Sequence, residues 1–130
     1  MVRASVNFKI KGKRGKTYKD LVRASVYVEP ELIPFMRDGE PITVPEKPTH
    51  NPNESFYVDV RPVIVARARV LRSRGAVGKG WKLEFALQVI DDQLGLDVLQ
   101  QILEEAGRTV GVGDFRPRFG RFRVERFSIA

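Results

Sequence analysis

Along residues 2–10 apolar and polar side chains alternate. Val2, Ala4, Val6, Phe8 and Ile10 fall on one side of an extended chain, and Arg3, Ser5, Asn7 and Lys9 on the other. A period of two is the spacing of a half-buried strand, and a strand is expected here. Residues 21–28 resume the alternation, with Leu21, Arg23, Ser25 and Tyr27 opposite Val22, Ala24, Val26 and Val28. Between them, Lys11, Lys13, Arg14, Lys16 and Lys19 are interspersed with Gly12 and Gly15, a composition that turns in solvent rather than packing. The three segments together predict a β-hairpin with a basic tip. Val2–Val6 and Val22–Val26 are the same pentapeptide, but nothing around it repeats, which indicates two similar strands rather than a duplicated domain.

Residues 29–55 contain Pro30, Pro34, Pro41, Pro45, Pro48 and Pro52 and sustain neither period. At most one helical turn is expected, between Glu31 and Arg37; the rest is a long connection, a class of loop that in compact domains often serves function or a partner. Phe56 to Arg72 gives a long strand signal, broken or bulged at Pro62, because proline cannot donate to a ladder. A glycine-rich turn from Arg74 to Gly80 leads into Trp81 to Ile90, where Trp81, Leu83, Phe85, Leu87 and Val89 point inward; these two strands are expected to make the central hairpin. Asp91 and Asp92 offer a helix N-cap, Leu96, Leu99, Ile102, Leu103 and Ala106 recur at helical spacing, and Gly107 reads as the cap at the far end. Gly95 weakens the first turn. Arg121 to Ile129 is expected as a closing strand, with Phe122, Val124 and Phe127 as apolar cover.

The predicted fold class is α+β: an antiparallel sheet with one main helix, whose second half runs strand, strand, helix, strand in a ferredoxin-like or RRM-like order, preceded by a β-hairpin. The length suits one domain, residues 1–130, with the proline-rich connection at 29–55.

Charge narrows the function classes. Lys plus Arg number 23 against 16 Asp plus Glu, a net charge of +7, which favours a polyanionic partner, nucleic acid ahead of an acidic membrane surface. The absence of cysteine and the single histidine, His50, exclude disulfides, thiolate metal sites and multi-histidine metal centres. Residues 1–9 lack the apolar run of a signal peptide, and no stretch of membrane-spanning length is apolar, so a soluble intracellular protein is expected. Few methionines, no cysteine and abundant Arg and Glu also suit a thermophilic source.

Catalytic patterns are sparse. A serine or cysteine triad needs a histidine beside its nucleophile, and His50 lies in the proline-rich connection, where it reads as a surface residue. Asp91, Asp92 and Asp97 could suggest a carboxylate metal site, but helix capping explains two of them without any metal, and Glu104 and Glu105 read as a solvated face or as partners of Arg108. Gly111-x-Gly113 follows a helix, whereas the dinucleotide fingerprint follows a strand and opens a helix. No catalytic residue, metal or cofactor is assigned.

Nucleic-acid contact has more support. Counted along one strand, Arg61, Arg67 and Arg69 share a face, Arg72 and Arg74 follow at the turn, Lys79 and Lys82 lie across the hairpin, and Arg121 and Arg123 come from the closing strand. Lys13, Arg14 and Lys16 at the first hairpin tip, and Phe115, Arg116, Arg118 and Phe119 in the glycine-rich loop, complete the candidate interface. Tyr27, Tyr57, Trp81 and the loop phenylalanines offer flat faces for unpaired bases, although Trp81 and Phe85 read more strongly as core. The helix over residues 92–106 has acidic residues and no Lys or Arg, which argues against a recognition helix and for a single strand.

The segment Ala106 to Val124, with its Gly111-Val-Gly-Asp-Phe-Arg-Pro117 and Gly120-Arg-Phe122, preceded by Trp81-Lys-Leu-Glu-Phe85 and Val60-Arg-Pro62, resembles a family of phage, prophage and archaeal-virus proteins. There a tryptophan-led strand, a helix ending in Ala-Gly, a G-x-G-D-x-R-P segment and a closing Gly-Arg-Phe occur in this order. The resemblance covers roughly Val60 to Val124 and not the first half. In architecture alone, a glycine-rich loop between last helix and last strand is also similar to the RRM-like repeat-associated RNA-binding proteins of CRISPR systems. Together these imply a small viral nucleic-acid-binding protein, acting in the host cytoplasm.

The resulting expectation is a non-enzymatic binder of single-stranded nucleic acid, DNA ahead of RNA, without sequence preference, acting by phosphate neutralisation and aromatic stacking. A homodimer or larger oligomer is expected because sheet edges need cover, and no membrane partner is expected. Two alternatives stand beside it. One is a viral structural or assembly protein whose strands and residues 29–55 join subunits; the other is a CRISPR-like RNA-binding or RNA-processing protein with His50, Tyr18 or Lys16 near the scissile phosphate.

Overall fold

The computed structural model describes residues 1–129. In chain order the elements are α1 (Val2–Ser5), α2 (Lys19–Ser25), β1 (Val26–Glu29), β2 (Met36–Arg37), β3 (Glu40–Pro41), β4 (Phe56–Val65), β5 (Ala68–Val77), β6 (Ala86–Val89) and α3 (Leu96–Glu105), which continues into a π-helical turn, Ala106–Val110. The fold is α+β. Its strands form three separate two-stranded sheets, β1 with β6, β2 with β3 and β4 with β5, rather than one ferredoxin-like sheet. The chain divides into two compact units, Met1–Val28 together with the chain from Leu87 on, and Glu29–Ala86. No helix among the described residues is long and apolar enough to cross a membrane.

The first unit departs from the expected N-terminal hairpin. In the first segment Met1, Ala4, Ser5 and Phe8 form one covered set, with Val2 and Ile10 half-buried beside it, and in the second Tyr18, Leu21, Val22 and Ser25 form the other, with Val26 half-buried beside it. Both sets follow i, i+3, i+4, i+7, the face of a helix. A short alternating run satisfies this template as well as the strand template, and here packing of α1 against α2 decides for helices. Of the hairpin there remains one bridge, Lys9 with Thr17, flanked by hydrogen bonds from the Ile10 amide to the Lys16 carbonyl and from the Tyr18 amide to the Phe8 carbonyl, each 3.0 Å. The repeated pentapeptide buries its serine both times, but Ala4 is buried where Ala24 is exposed. The Ser5 hydroxyl donates to the Val2 carbonyl at 2.7 Å, which removes the penalty of an unpaired buried donor.

Leu99, Ile102 and Ala106 project from the α3 region into a core shared with Ala4, Val22 and Leu94, and Phe8, Val110, Phe122 and Phe127 cover it. The helix begins later than expected. Asp91 Oδ1 accepts the Gln93 amide at 2.9 Å and the Asp91 carbonyl accepts the Leu94 amide at 3.1 Å, so this aspartate shapes a turn rather than a cap. Gly95, with ψ 145°, is extended and holds the cap position. The far end also differs. The helix does not stop at Gly107 but widens, with the Gly111 amide reaching the Ala106 carbonyl at 2.7 Å, and ends at Gly111, whose φ is 74°. Gly107 has another role: a Cβ there would collide with the Phe122 carbonyl, and the Phe122 amide donates to the Gly107 carbonyl at 3.2 Å. The segment from Arg121 onward therefore lies against the helix end and makes no ladder among the described residues, so the closing strand is absent.

In the second unit β4 and β5 pair without a break from Phe56↔Val77 to Val65↔Ala68. Pro62 sits in register opposite Leu71 and makes no bulge, because each strand of a two-stranded ribbon has a free edge that needs no amide. The reversal falls on Ala66 and Arg67, with φ 46° and 68°, both in the left-handed region as a two-residue hairpin turn of this hand requires. The expected central hairpin of Phe56–Arg72 with Trp81–Ile90 is thus replaced by one folding within the predicted long strand. Residues 74–77, expected in a turn, complete β5, and β6 pairs with β1. Trp81 packs edge-on to Phe35 with ring centroids 5.5 Å apart, and Met36 and Lys82 exchange backbone hydrogen bonds of 2.9 and 2.8 Å.

Candidate nucleic-acid interface

Between Phe56 and Val77 there are five arginines and one acidic residue, Asp59. Directly paired residues share a face of the ribbon. The pairs Arg61↔Arg72 and Asp59↔Arg74 place three guanidinium groups and one carboxylate together, whereas Ile64↔Arg69 lies on the opposite face and Arg67 is in the turn. The expectation that Arg61, Arg67 and Arg69 share a face is therefore corrected. It assumed one uninterrupted strand; once the chain reverses at Ala66 and Arg67, odd positions of β4 face even positions of β5. Arg61 Nε donates to both Asp59 oxygens, at 3.0 and 2.9 Å, so the only carboxylate of this face is engaged by the arginine two residues along. Lys79 and Lys82 are exposed beyond the ribbon's root.

The ribbon's root is pinned by the proline-rich connection. The Val58 amide donates to the Thr49 carbonyl at 2.8 Å, and His50 Nδ1 donates to the Val58 carbonyl at 2.9 Å. His50 thus serves as an edge clasp for β4. Near the root Tyr57 is half-buried, while toward the turn Val60, Ile64, Val65, Val70 and Leu71 are exposed. Neither the clasp nor this exposure was visible in the sequence, since V-I-V-A-R-A-R-V-L reads simply as strand.

In the first unit Lys13, Arg14 and Lys16 are exposed in a compact double turn, in which the Lys13 amide donates to the Ile10 carbonyl and the Lys16 amide to the Lys13 carbonyl, each at 3.3 Å. Lys13 and Lys16 border a shallow cleft with Asp20, Asp91 and Gln93, and Lys13 Nζ donates to Gln93 Oε1 at 3.4 Å. Two carboxylates temper its attraction for phosphate. Tyr18 packs against the hydrophobic core, and Tyr27 is 52% exposed.

The glycine-rich loop is closed at its neck. The Val112 amide donates to the Gly120 carbonyl at 2.9 Å, and a Cβ on Gly120 would collide with the Val112 carbonyl. Gly111 and Gly120, with φ 74° and 77°, let the two backbones approach, which is a structural use of these glycines. At the tip Phe115 and Phe119 meet edge-on, centroids 5.5 Å apart, so part of each ring is already covered. Arg116 Nη1 donates to the Gly113 carbonyl at 2.8 Å and Arg121 Nε to the Pro117 carbonyl at 3.0 Å. A guanidinium has five donors, so each retains capacity for an anion. Arg118 is exposed, and Arg123 pairs loosely with Glu125 at 3.6 Å.

The candidate residues accordingly fall on two units: Arg61, Arg67, Arg69, Arg72, Arg74 and Lys79 on one, the remainder on the other. Among the described residues no group of three or more His, Asp or Glu side chains is gathered to hold a metal ion. No protein-family model, curated protein or solved structure matches the chain.

Proposed function

We propose that the protein binds nucleic acid, neutralising phosphates with the arginines of the β4–β5 ribbon, with little dependence on base sequence. The observation that carries this is the ribbon's charge, five arginines against one aspartate, on a unit that buries no large apolar side chain and so does not need those strands for a core. Arginine suits the role because its planar fork meets phosphate oxygens in pairs and stays charged at any working pH. The basic turn at Lys13, Arg14 and Lys16 and the loop with Arg116, Arg118 and Arg121 add further cations, and Phe115 and Phe119 supply stacking for unpaired bases. A viral setting, single-stranded DNA ahead of RNA, belongs to the same proposal.

Titrating short oligonucleotides, single-stranded DNA and RNA in parallel, at increasing salt tests it. Association that weakens steeply with salt is expected; no association at low salt, or affinity indifferent to salt, sinks the reading. A second reading, assembly through subunit contacts, is favoured by the exposed Ile64 and Leu71, each 76% accessible, and by the outer ribbon edges, which no third strand joins among the described residues. Solution mass with and without oligonucleotide separates the two: large assemblies formed equally without nucleic acid favour assembly.

A further inference from the structure

The β4–β5 ribbon carries two sets of side chains, and phosphate neutralisation uses only one. Its arginines are distributed along both faces and the turn, whereas the four pairs next to the turn, Pro62↔Leu71 to Val65↔Ala68, are apolar apart from Arg69. Ile64 and Leu71 lie on one face of this end and are each 76% exposed. Ten pairs at about 3.3 Å per residue make an arm roughly 30 Å long. A two-stranded ribbon is one of the elements that a duplex groove admits, and it needs no basic helix. Charge complementarity makes the partner a polyanion. Exposed aliphatic groups at the end of a cationic arm add nothing to phosphate contact, but they match the interior of a base stack, where an inserted apolar side chain separates neighbouring base pairs and kinks the duplex.

We propose that the ribbon is a duplex-DNA arm: its arginines hold phosphates along a groove, and Ile64 and Leu71 wedge between base pairs and bend the helix. DNA is specified because the major groove of A-form RNA is too narrow for a ribbon and its minor groove too shallow to hold one. This inference rests on the nucleic-acid reading and extends it from single strands to duplex.

The full chain is titrated into a short duplex with donor and acceptor dyes at its two ends, and into one of its strands alone, at several salt concentrations. Duplex association that weakens with salt and a rise in energy transfer at saturation are expected. Ile64→Ser combined with Leu71→Ser, both at exposed positions, is expected to abolish that rise and leave the salt dependence unchanged, with circular dichroism confirming that the fold is kept. Arg69→Gln combined with Arg72→Gln is expected to lower the slope of log affinity against log salt by about 2 while the bend at saturation persists. Salt-dependent binding of the single strand without bending of the duplex overturns the arm and leaves the nucleic-acid reading intact; salt-dependent association with neither overturns both. A bend that survives in the serine double variant overturns the wedge.

Discussion

Every buried apolar side chain described belongs to the unit formed by Met1–Val28 and the chain from Leu87 on; the unit Glu29–Ala86 buries only Gly78. The first is held by helices whose apolar faces meet: Leu99 and Ile102 are 1% and 0% accessible. The second is held chiefly by a ten-pair ladder and the clasp from Thr49 and His50, with its aliphatic residues left in water toward the turn. Burial stabilises in proportion to area removed from solvent, whereas an isolated two-stranded ribbon is marginal. One unit is thus built to persist and the other to present side chains.

The sharpest way to break this contrast is to truncate one isoleucine in each. Ile102→Ala is expected to cost about 2–5 kcal/mol in urea unfolding, while Ile64→Ala stays within about 0.5 kcal/mol. Equal losses would mean that the ribbon end is covered in solution. Gly107→Ala comes next: its methyl meets the Phe122 carbonyl, and about 1–3 kcal/mol should be lost in thermal unfolding. Gly113→Ala, in open space, should lose only the left-handed backbone penalty of about 1 kcal/mol.

Smaller effects probe the second unit. Replacing Ala66 and Arg67 by Asn and Gly relieves two left-handed residues and is expected to stabilise the ribbon by about 1 kcal/mol. Amide exchange should show this in β4 and β5 with no change in α3; protection rising in both would couple the units. His50→Ala removes the donor to Val58 and should lower protection near the root of β4 by no more than about 1 kcal/mol. Smallest of all, Arg108→Ala breaks an exposed pair with Glu105 and should move the melting of the first unit by less than about 0.5 kcal/mol.

The sequence made the α+β class legible, and α3 with it, because Leu96, Leu99, Ile102, Leu103 and Ala106 admit one periodicity from Leu96 to Ala106. Residues 2–10 and 21–28 admit two, and only the partner available in three dimensions selects between them. The ribbon was legible as strand but its reversal was not, since Ala66-Arg67 carries neither the glycine nor the asparagine that usually marks such a turn. The same omission misassigned the arginine faces: the residue types were readable, while their grouping depended on where the chain doubles back. In the glycine-rich loop the arginines and phenylalanines were recognisable as contact chemistry, but the meeting of Gly111 with Gly120 joins positions nine apart and required the fold.

That neck has a consequence for how the molecule can change. Because the loop is closed at Gly111 and Gly120 through backbone alone, the helix beneath it does not depend on the seven residues from Gly113 to Phe119, none of which belongs to the hydrophobic core cluster. Substitutions and short insertions from Asp114 to Phe119 should leave the helix intact as long as the two neck glycines and the left-handed Gly113 remain. The tip is then a place where ligand preference can drift under selection, or where a foreign peptide can be grafted, while the helix beneath it is inherited unchanged.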